Sequence, residues 1–455
     1  MLAFFVGMCL VWHLHRSITV NLAPGGVRKS GSGLELAVAL GVLAASEQLP
    51  TGVLDGVAVL GELGLDGSVQ AVPGALALVD SLTRAGRPSV VVPIANAAEA
   101  ELVGDAHVRA ARDLGELRAC LQGEEPWPDW DPPVVDPDAG LDADDDLADL
   151  AEVRGLAFAR GVLEVAAAGG HHLLMWGPPG TGKTMLARRL PTILAPLEPG
   201  EALEVTRIHS AAGQPIRVRL LRDRPMRAPH HTASTAALVG GGSVRPRPGE
   251  VTLAHRGILF LDELGEFAPS ALDALRQPLE ERVVRISRQG SSLAFPAAFQ
   301  LVACTNPCPC GRVPRECCCT EAAKGRYRRR LSAPLVDRFD LRIPVSAPLP
   351  DDRPGEASAD VRDRVVAAVA RQRARYADWP WSLNAHVPAG AVGCLVPLDA
   401  AAEREWHQLI EERLLTGRGA ARILRVARTV ADLADEPTVT GEHLQSAALA
   451  REDLS

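Results

Sequence analysis

The sequence predicts an α/β protein whose central unit is a parallel sheet covered by helices. Three apolar runs, HHLLMW, GILFLDE and FQLVACTN, alternate with helical segments between residues 149 and 345, as expected when helices connect parallel strands. The first run leads into GPPGTGKT and then into MLARRL, so a glycine-rich turn lies between a strand and a helix. With 455 residues, the chain is long enough for about three domains.

A smaller α/β domain is expected at residues 17–120. ITVNLAP, VAVLGELGL and PSVVVP have the composition of strands, and LELAVALGVLAA has that of a helix. Residues 1–16 form an atypical N-terminus: their apolar run lacks a basic n-region and a cleavage site, and it is too short to span a bilayer. We therefore expect no membrane segment and a cytoplasmic location.

An acidic, proline-rich linker is expected at residues 121–148, because such a composition buries too little apolar surface to order itself. Glu124 to Asp149 contain eleven Asp and Glu and no Lys or Arg, so a net charge of −8 leaves +3 for the other residues. The net charge therefore does not exclude a DNA partner. The core unit is expected at residues 149–348 and a helical domain at residues 349–455, where REWHQLIEERLL and AARILRVARTVADLA show helical spacing.

The glycine-rich turn predicts a phosphate-binding site for ATP. It fits G-x-x-x-x-G-K-[ST] at every position, and the predicted ligand-binding residues are Gly177, Pro178, Pro179, Gly180, Thr181, Gly182, Lys183 and Thr184. Glycines allow backbone N–H groups and the helix N-terminus to point at the phosphates. The ammonium of Lys183 is expected to reach the β and γ oxygens, and the hydroxyl of Thr184 to bind Mg²⁺.

Polar residues at two further strand ends complete the predicted site. GILFLDE ends in Asp262 and Glu263, and paired carboxylates after a buried strand are costly unless a cation or a proton transfer uses them. We predict that Asp262 binds Mg²⁺ and that Glu263 activates the attacking water. FQLVACTN ends at Asn306, which would orient that water at the same edge of the sheet. The alternatives are ordinary strand-end acids and a loop-capping asparagine.

Several long motifs resemble the YifB/ComM family of magnesium-chelatase-like AAA+ proteins: GPPGTGKTMLARRLP, RAPHHT, GEVTLAHRGILFLDELGEF, TNPCPCG and RRRLSAPLVDRFDL. The resemblance implies an AAA+ P-loop αβα core with a helical C-terminal lid, preceded by a Lon-protease-like, S5-like domain. It also implies a homo-oligomeric ring, expected to be a hexamer, with ATP between subunits. In such a ring Arg338 would be the arginine finger and Arg418 a second nucleotide-sensing arginine.

Each arginine has a simpler alternative. Arg338 could form a surface ion pair with a neighbouring aspartate, the usual fate of such a residue. Arg422, Arg425 and Arg428 repeat at helical spacing and could form only a solvated basic face.

The Lon-like domain is expected to be non-catalytic and truncated. Where Lon-type proteases carry their nucleophile, this chain has Gly33, and Lys29 has no nucleophile to serve because Ser30 and Ser32 are out of position. Family members also have several dozen more residues before the strand equivalent to ITVNLAP.

Six of the nine cysteines lie between Cys304 and Cys319. Two C-x-C pairs in one short loop suit tetrahedral Zn²⁺, with Cys308, Cys310, Cys317 and Cys319 as the predicted ligands and Cys318 as a substitute. Reduced free thiols and disulfides are the alternatives. Cys304 belongs to the strand and is expected in the core.

A segment rich in arginine is a candidate contact surface for a DNA partner. Nine arginines stand against Asp223 and Glu250 between Arg207 and Arg256. The resemblance to AAA+ rings implies that RVVRISRQGSSLAFP is a hairpin lining the central pore. Arg285, Arg288 and the arginines of residues 217–227 could then contact a phosphate backbone. Their alternative role is pairing with acids of a neighbouring subunit. The run of Lys324, Arg326 and Arg328–Arg330 has the same two interpretations.

Three functions therefore stand: a DNA helicase or branch-migration motor, a chelatase motor subunit, and a protein-remodelling ATPase. The resemblance and the basic hairpin favour the first. His230 and His231 are assigned a packing or hydrogen-bonding role, because adjacent residues diverge.

Overall fold

The computed structural model describes residues 20, 33–130, 149–214, 221–241, 247–288, 291–312, 316–349, 352–413 and 415–452. The expectations for residues 1–16, for ITVNLAP apart from Val20, and for Lys29, Ser30 and Ser32 lie outside these residues.

The strands within the described residues are β1 (Ala58–Val59), β2 (Glu62–Leu63), β3 (Val69–Gln70), β4 (Ser89–Pro93), β5 (His107–Ala111), β6 (Leu173–Trp176), β7 (Met226–Arg227), β8 (Ile258–Leu261), β9 (Val283–Arg288), β10 (Ser291–Pro296), β11 (Gln300–Thr305) and β12 (Leu341–Pro344). The helices are α1 (Glu35–Ala45), α2 (Ala75–Arg84), α3 (Ile94–Glu101), α4 (Leu114–Gln122), α5 (Ala157–Gly169), α6 (Lys183–Ile193), α7 (Pro199–Ala211), α8 (Thr235–Val239), α9 (Glu250–Leu253), α10 (Pro269–Ala274), α11 (Arg276–Glu281), α12 (Glu321–Arg330), α13 (Ala333–Val336), α14 (Ser358–Arg375), α15 (Ala389–Leu395), α16 (Ala400–Arg413), α17 (Gly417–Leu433) and α18 (Gly441–Leu449). Short 3₁₀ turns occur at Thr51–Leu54, Leu150–Glu152, Leu264–Glu266 and Asn384–His386.

The chain divides into two compact units. The first takes its residues from Met1–Ala139 and Glu198–Arg222, and the second from Gly140–Leu197 and Asp223–Ser455.

The first unit contains a parallel sheet in the order β1-β4-β5 and a separate antiparallel pair, β2 and β3. VAVLGELGL therefore forms two short strands with different partners. The break coincides with Gly61, where a Cβ would lie 2.7 Å from Cδ2 of Leu36, so only glycine permits the close packing of α1. Part of the predicted linker also packs here, because Trp127 and Trp130 lie against buried residues of this unit.

Helix α7 belongs to the first unit, although the sequence places it inside the P-loop segment of residues 149–348. Arg207 of α7 forms an ion pair with Asp80 of α2, and the hydroxyl of Ser210 bonds the carboxylate of Glu99 on α3. The contacts join residues more than one hundred positions apart, which local sequence patterns do not reveal.

The second unit is built on a five-stranded sheet in the order β12-β6-β11-β8-β7, and every neighbouring pair is parallel. Alternate residues face opposite cores: Met175 and Cys304 pack with α5, α6 and the C-terminal helices, whereas Leu174 and Ala303 pack with the residues around Phe267. A sheet covered on both faces explains why its strands are apolar throughout. The predicted αβα core with a C-terminal helical region, and the buried position of Cys304, are confirmed.

No helix among the described residues is both long and apolar enough to cross a bilayer.

Candidate nucleotide-binding site

The phosphate loop is a tight turn from β6 into α6. The N–H of Gly177 donates to the carbonyl of Thr305 at 3.3 Å, and a Cβ at Gly177 would lie 2.2 Å from the carbonyl oxygen of Val345. Gly180 and Gly182 have φ values of 79° and 92°, which side chains disfavour. Because the first N–H groups of α6 have no intrahelical acceptor, this turn is a site for an anion.

Lys183 is the first residue of α6 and points back into the loop. Its Nζ donates to the carbonyls of Gly177 at 2.8 Å and Pro178 at 2.7 Å. Thr181 is buried and its hydroxyl donates to the carbonyl of Pro178 at 3.0 Å. Burial lowers the pKa of Lys183, against the opposing effect of Cys304 and Asp262. A buried ammonium bonded only to carbonyl oxygens is a suitable donor for phosphate oxygens.

Thr184 and Asp262 meet across the sheet edge. The hydroxyl of Thr184 donates to Oδ2 of Asp262 at 2.8 Å, and the N–H of Glu263 donates to Oδ1 of Asp262 at 2.9 Å. A hydroxyl and a carboxylate oxygen are the ligands that Mg²⁺ prefers. These residues therefore fit the magnesium ion that accompanies ATP.

Glu263 has an unusual backbone for a residue with a side chain. Its φ is 51°, a conformation that costs free energy and is concentrated at functional sites. Its side chain is 56% exposed and so lies at the open edge of the site, where the predicted base would reach water.

Asn306 lies between the two other parts of the site because β11 separates β6 from β8. Thr305 pairs with Trp176, so the next residue, Asn306, lies beside Gly177. The sheet order brings Asn306 to the edge shared by the phosphate loop and Asp262.

His231 is a site residue that the sequence interpretation did not place here. Its Nδ1 lies 3.4 Å from Oε2 of Glu263, and its ring is tilted by 35° against that of His230 with centroids 4.0 Å apart. The RAPHHT segment begins at the last residue of β7, the strand beside β8. The sequence interpretation lacked this strand order, which places His231 beside Glu263, the predicted base.

Arg338 pairs within its own protomer. It contacts Glu280, and its Nη1 donates to the carbonyl of Pro334 at 3.1 Å, leaving the side chain 13% exposed. The aspartates expected as its partners instead bond Arg422, whose Nη1 lies 3.0 Å from Asp337.

The arginines of α17 occupy three different environments. Arg418 is exposed in the first turn. Burial lowers the pKa of Arg425. Arg428 is fully buried and bonds Asp432 and the carbonyls of Glu436 and Pro437. The solvated basic face considered for Arg422, Arg425 and Arg428 is therefore wrong, because the helix packs this side against the protein.

The four predicted zinc ligands are close together. The Sγ atom of Cys308 lies 3.3 Å from that of Cys310 and 3.6 Å from that of Cys317, and all four Sγ atoms, with Cys319, lie within 4.8 Å of one another. Cys318 is exposed and outside the group. No cysteine that the structure describes forms a disulfide. A hydrogen bond from the backbone of Arg312 lowers the pKa of Cys310 to about 6.

The predicted hairpin is present as the antiparallel pair β9 and β10. Val284 is buried and Ile286 packs beside it, so Arg285 lies on the opposite, outer face, with its side chain 58% exposed. Arg288 is the last residue of β9.

Other predicted DNA-contacting residues have internal partners. Arg227 forms a two-bond pair with Glu250 at 2.7 and 3.1 Å, and Arg224 bonds the carbonyls of Ala195 and Arg256. In the second basic run, Lys324 pairs with Glu321 and Arg330 with Glu266.

Three family descriptions match the chain. They are "Magnesium chelatase, subunit ChlI" at residues 149–352, "Magnesium chelatase, subunit ChlI C-terminal" at residues 355–451, and "Subunit ChlI of Mg-chelatase" at residues 12–96. The first covers the phosphate loop and both acidic residues.

Whole-chain relatives agree with these matches. An uncharacterised protein of Mycobacterium tuberculosis H37Rv is 43% identical over 93% of this chain and 84% of its own. YifB of Escherichia coli K12 is 39% identical over 95% of this chain and 84% of its own. Competence protein ComM of Haemophilus influenzae is 39% identical over 95% of this chain and 85% of its own. The chain therefore belongs to the YifB/ComM family of magnesium-chelatase-like AAA+ ATPases.

Proposed function

We propose that this AAA+ ATPase is a homo-oligomeric ring motor of the cytoplasm that remodels DNA, as a helicase or branch-migration factor of the ComM type. The observation that carries the proposal is the β9–β10 hairpin, which holds Arg285 outward on the same unit as the nucleotide site. Its proposed cofactors are ATP and Mg²⁺, with Zn²⁺ as a structural ion at the four clustered cysteines.

The geometry of the nucleotide site supports a role for each of its residues. Lys183 and the N–H groups of the loop would hold the phosphates, while Thr184 and Asp262 would hold Mg²⁺. Glu263 would accept a proton from the attacking water, with Asn306 orienting that water. His231 would hold the carboxylate of Glu263 in place.

The arginine finger requires a second protomer. Arg338 would reach the γ-phosphate in a neighbouring subunit, which first requires its pair with Glu280 to open. Mixing two inactive variants tests this. Arg338→Ala and Glu263→Gln should each lack hydrolysis alone, whereas their mixture should recover part of the wild-type rate, because some interfaces then contain both native residues. No recovery on mixing would assign Arg338 to its own protomer's site or to structure alone.

The ion pair that Arg285 forms at the hairpin is weak enough for DNA to displace it. Arg285 now lies 3.3 Å from Glu281, and a pair between two exposed side chains contributes only about 0.2–1 kcal/mol. A phosphate backbone can therefore compete with Glu281 for Arg285.

The test is the ATP hydrolysis rate with and without single-stranded or forked DNA, with Lys183→Ala as the blank. We expect DNA to stimulate hydrolysis several-fold, and Arg285→Ala to remove most of that stimulation while changing the basal rate less than about twofold. Arg84→Ala is the matched control, because Arg84 is also exposed, at 67%, and also pairs with an acid four residues away. It should respond to DNA like the wild type.

Hydrolysis that depends on Lys183 but ignores DNA would reject the DNA motor. The chelatase-type and protein-remodelling functions would then be separated by whether a protein client stimulates hydrolysis.

A further inference from the structure

The loop that carries the cysteines connects β11 to α12, and its C-terminal end contacts the nucleotide site. It leaves β11 at Asn306 and ends in α12, whose Tyr327 hydroxyl lies 3.2 Å from the hydroxyl of Thr305. The Tyr327 ring packs closely on Gly265, where a Cβ would lie 2.4 Å from the Tyr327 side chain. Arg330 also donates to the carbonyl of Gly265 at 3.0 Å. The end of the loop is thus bound to the turn that follows Glu263.

The first half of the loop lies against the phosphate loop itself. Gly311 has a φ of 68°, and a Cβ at this position would lie 3.1 Å from Cδ of Pro179 and 3.8 Å from Cγ of Asn306. The N–H of Gly311 donates to the carbonyl of Cys308 at 3.0 Å. A tight turn therefore places the backbone after Cys310 in contact with both a phosphate-loop residue and the predicted water-orienting residue.

The four thiols have the geometry of a tetrahedral metal site. Zn–S bonds of about 2.3 Å place the sulfurs of a tetrahedron about 3.8 Å apart. The three distances among the Sγ atoms of Cys308, Cys310 and Cys317 are 3.3, 3.6 and 3.8 Å. Cys319 completes a set of four within 4.8 Å. Soft thiolate ligands select Zn²⁺ over Mg²⁺ or Ca²⁺. One ion would join the turn at Gly311 to the segment that enters α12.

We propose that Zn²⁺ bound by these four cysteines braces the nucleotide site, by holding the Cys308–Gly311 turn against Pro179 and Asn306, so that ATP binding requires the metal. The inference rests on the proposed role of the phosphate loop in binding ATP, and it is independent of DNA. Metal loss frees the near end of the loop, and the phosphate loop then loses the neighbour that supports Pro179.

Metal content tests the first half of the proposal. Wild type, Cys317→Ser, Cys319→Ser and Cys318→Ser are purified under reducing conditions, and zinc is measured by elemental analysis. Cobalt substitution then reports tetrahedral thiolate ligation by its visible absorption. We expect about one zinc per wild-type chain, the same for Cys318→Ser, and strong loss for the other two. Cys318→Ser is the matched control because Cys318 lies between two ligands yet outside the cluster. The proposal would be overturned if the wild-type protein contained no metal and all four of these cysteines reacted as free thiols.

Nucleotide binding without DNA tests the second half. The dissociation constant of a fluorescent ATP analogue is measured for wild-type protein before chelation, after chelation, and after zinc is restored, which avoids dependence on variants that fail to fold. We expect at least tenfold weaker binding without zinc and recovery on its return. Equal affinity with and without zinc would overturn the brace.

Lys183→Ala separates this inference from the proposed function, since it should lose ATP binding and keep zinc. If the zinc and ATP results hold while DNA has no effect on hydrolysis, only the DNA function is rejected.

Discussion

Protonation of His172 should make the second unit sensitive to mild acid. The imidazole lies between α5 and β6, and its Nδ1 accepts a hydrogen bond from the N–H of Leu301 at 2.9 Å. Burial lowers the pKa of His172 to about 4, although Asp340 opposes this change. Protonation of Nδ1 would remove the acceptor for Leu301 and place a charge beside β11, the strand that ends at Asn306.

The direction in which the free energy of unfolding changes with pH follows from proton uptake. Between pH 6.5 and about 4, His172 is protonated in the unfolded chain and neutral in the folded chain. The free energy of unfolding therefore falls as the pH falls through this range. Above pH 6.5 neither state is protonated and the contribution is constant. One histidine with these two pKa values lowers the free energy of unfolding by roughly 2 kcal/mol at pH 5, and by roughly 3 kcal/mol when titration is complete.

His172→Asn isolates this effect, because the Asn side-chain oxygen can replace Nδ1 as acceptor and does not titrate. Urea unfolding followed by tryptophan fluorescence at pH 7.5 and pH 5 gives the two midpoints for each protein. We expect the wild type to lose roughly 0.7–1 M more in midpoint than the variant. His386 is present in both proteins and contributes to both pH differences. Asp340 stays ionised from pH 7.5 to pH 5 because its pKa lies well below its usual range. Parallel losses in the two proteins would refute the reasoning.

Three further predictions concern steric fit, catalysis and buried charge. Gly177→Ala should weaken ATP binding at least tenfold in a fluorescence titration, because its Cβ would lie 2.2 Å from the Val345 carbonyl oxygen and moving the loop by roughly 1 Å disrupts ligand placement. The control Gly161→Ala, whose Cβ would lie in open space on α5, should bind ATP normally. Equal affinities of the two variants would contradict the steric argument. Glu263→Gln should bind ATP with unchanged affinity but release phosphate at least about 100-fold more slowly, and a loss below tenfold would exclude it as the base. Arg428→Met should lower the free energy of urea unfolding by roughly 3–5 kcal/mol, because it strips partners from buried acceptors; a loss below about 1 kcal/mol would show that these groups find water.

Local patterns were sufficient for features that lie within one short stretch of chain. The turn at Gly177–Thr184 between β6 and α6 follows from glycine spacing next to an apolar run, and the position of Asp262 and Glu263 follows from the end of another apolar run. The hairpin of β9 and β10 was expected from the resemblance to the family, whereas the spacing of the cysteines is again a local pattern. In each local pattern backbone preference and side-chain polarity act over a few residues.

The fold class also followed from the sequence, because the alternation of strands and helices requires a parallel sheet with helices on both faces. Helical spacing also indicated the C-terminal helical region, whose α14 and α17 pack on α5, and the resemblance to the family added its assignment as a lid.

The tertiary structure alone decided which distant residues meet. The strand order β12-β6-β11-β8-β7 places Asn306 beside the phosphate loop and His231 beside Glu263. It also places Glu280 against Arg338 and Gly311 against Pro179. Such contacts depend on strand order and register over tens to hundreds of residues, and periodicity within one element carries no information about them.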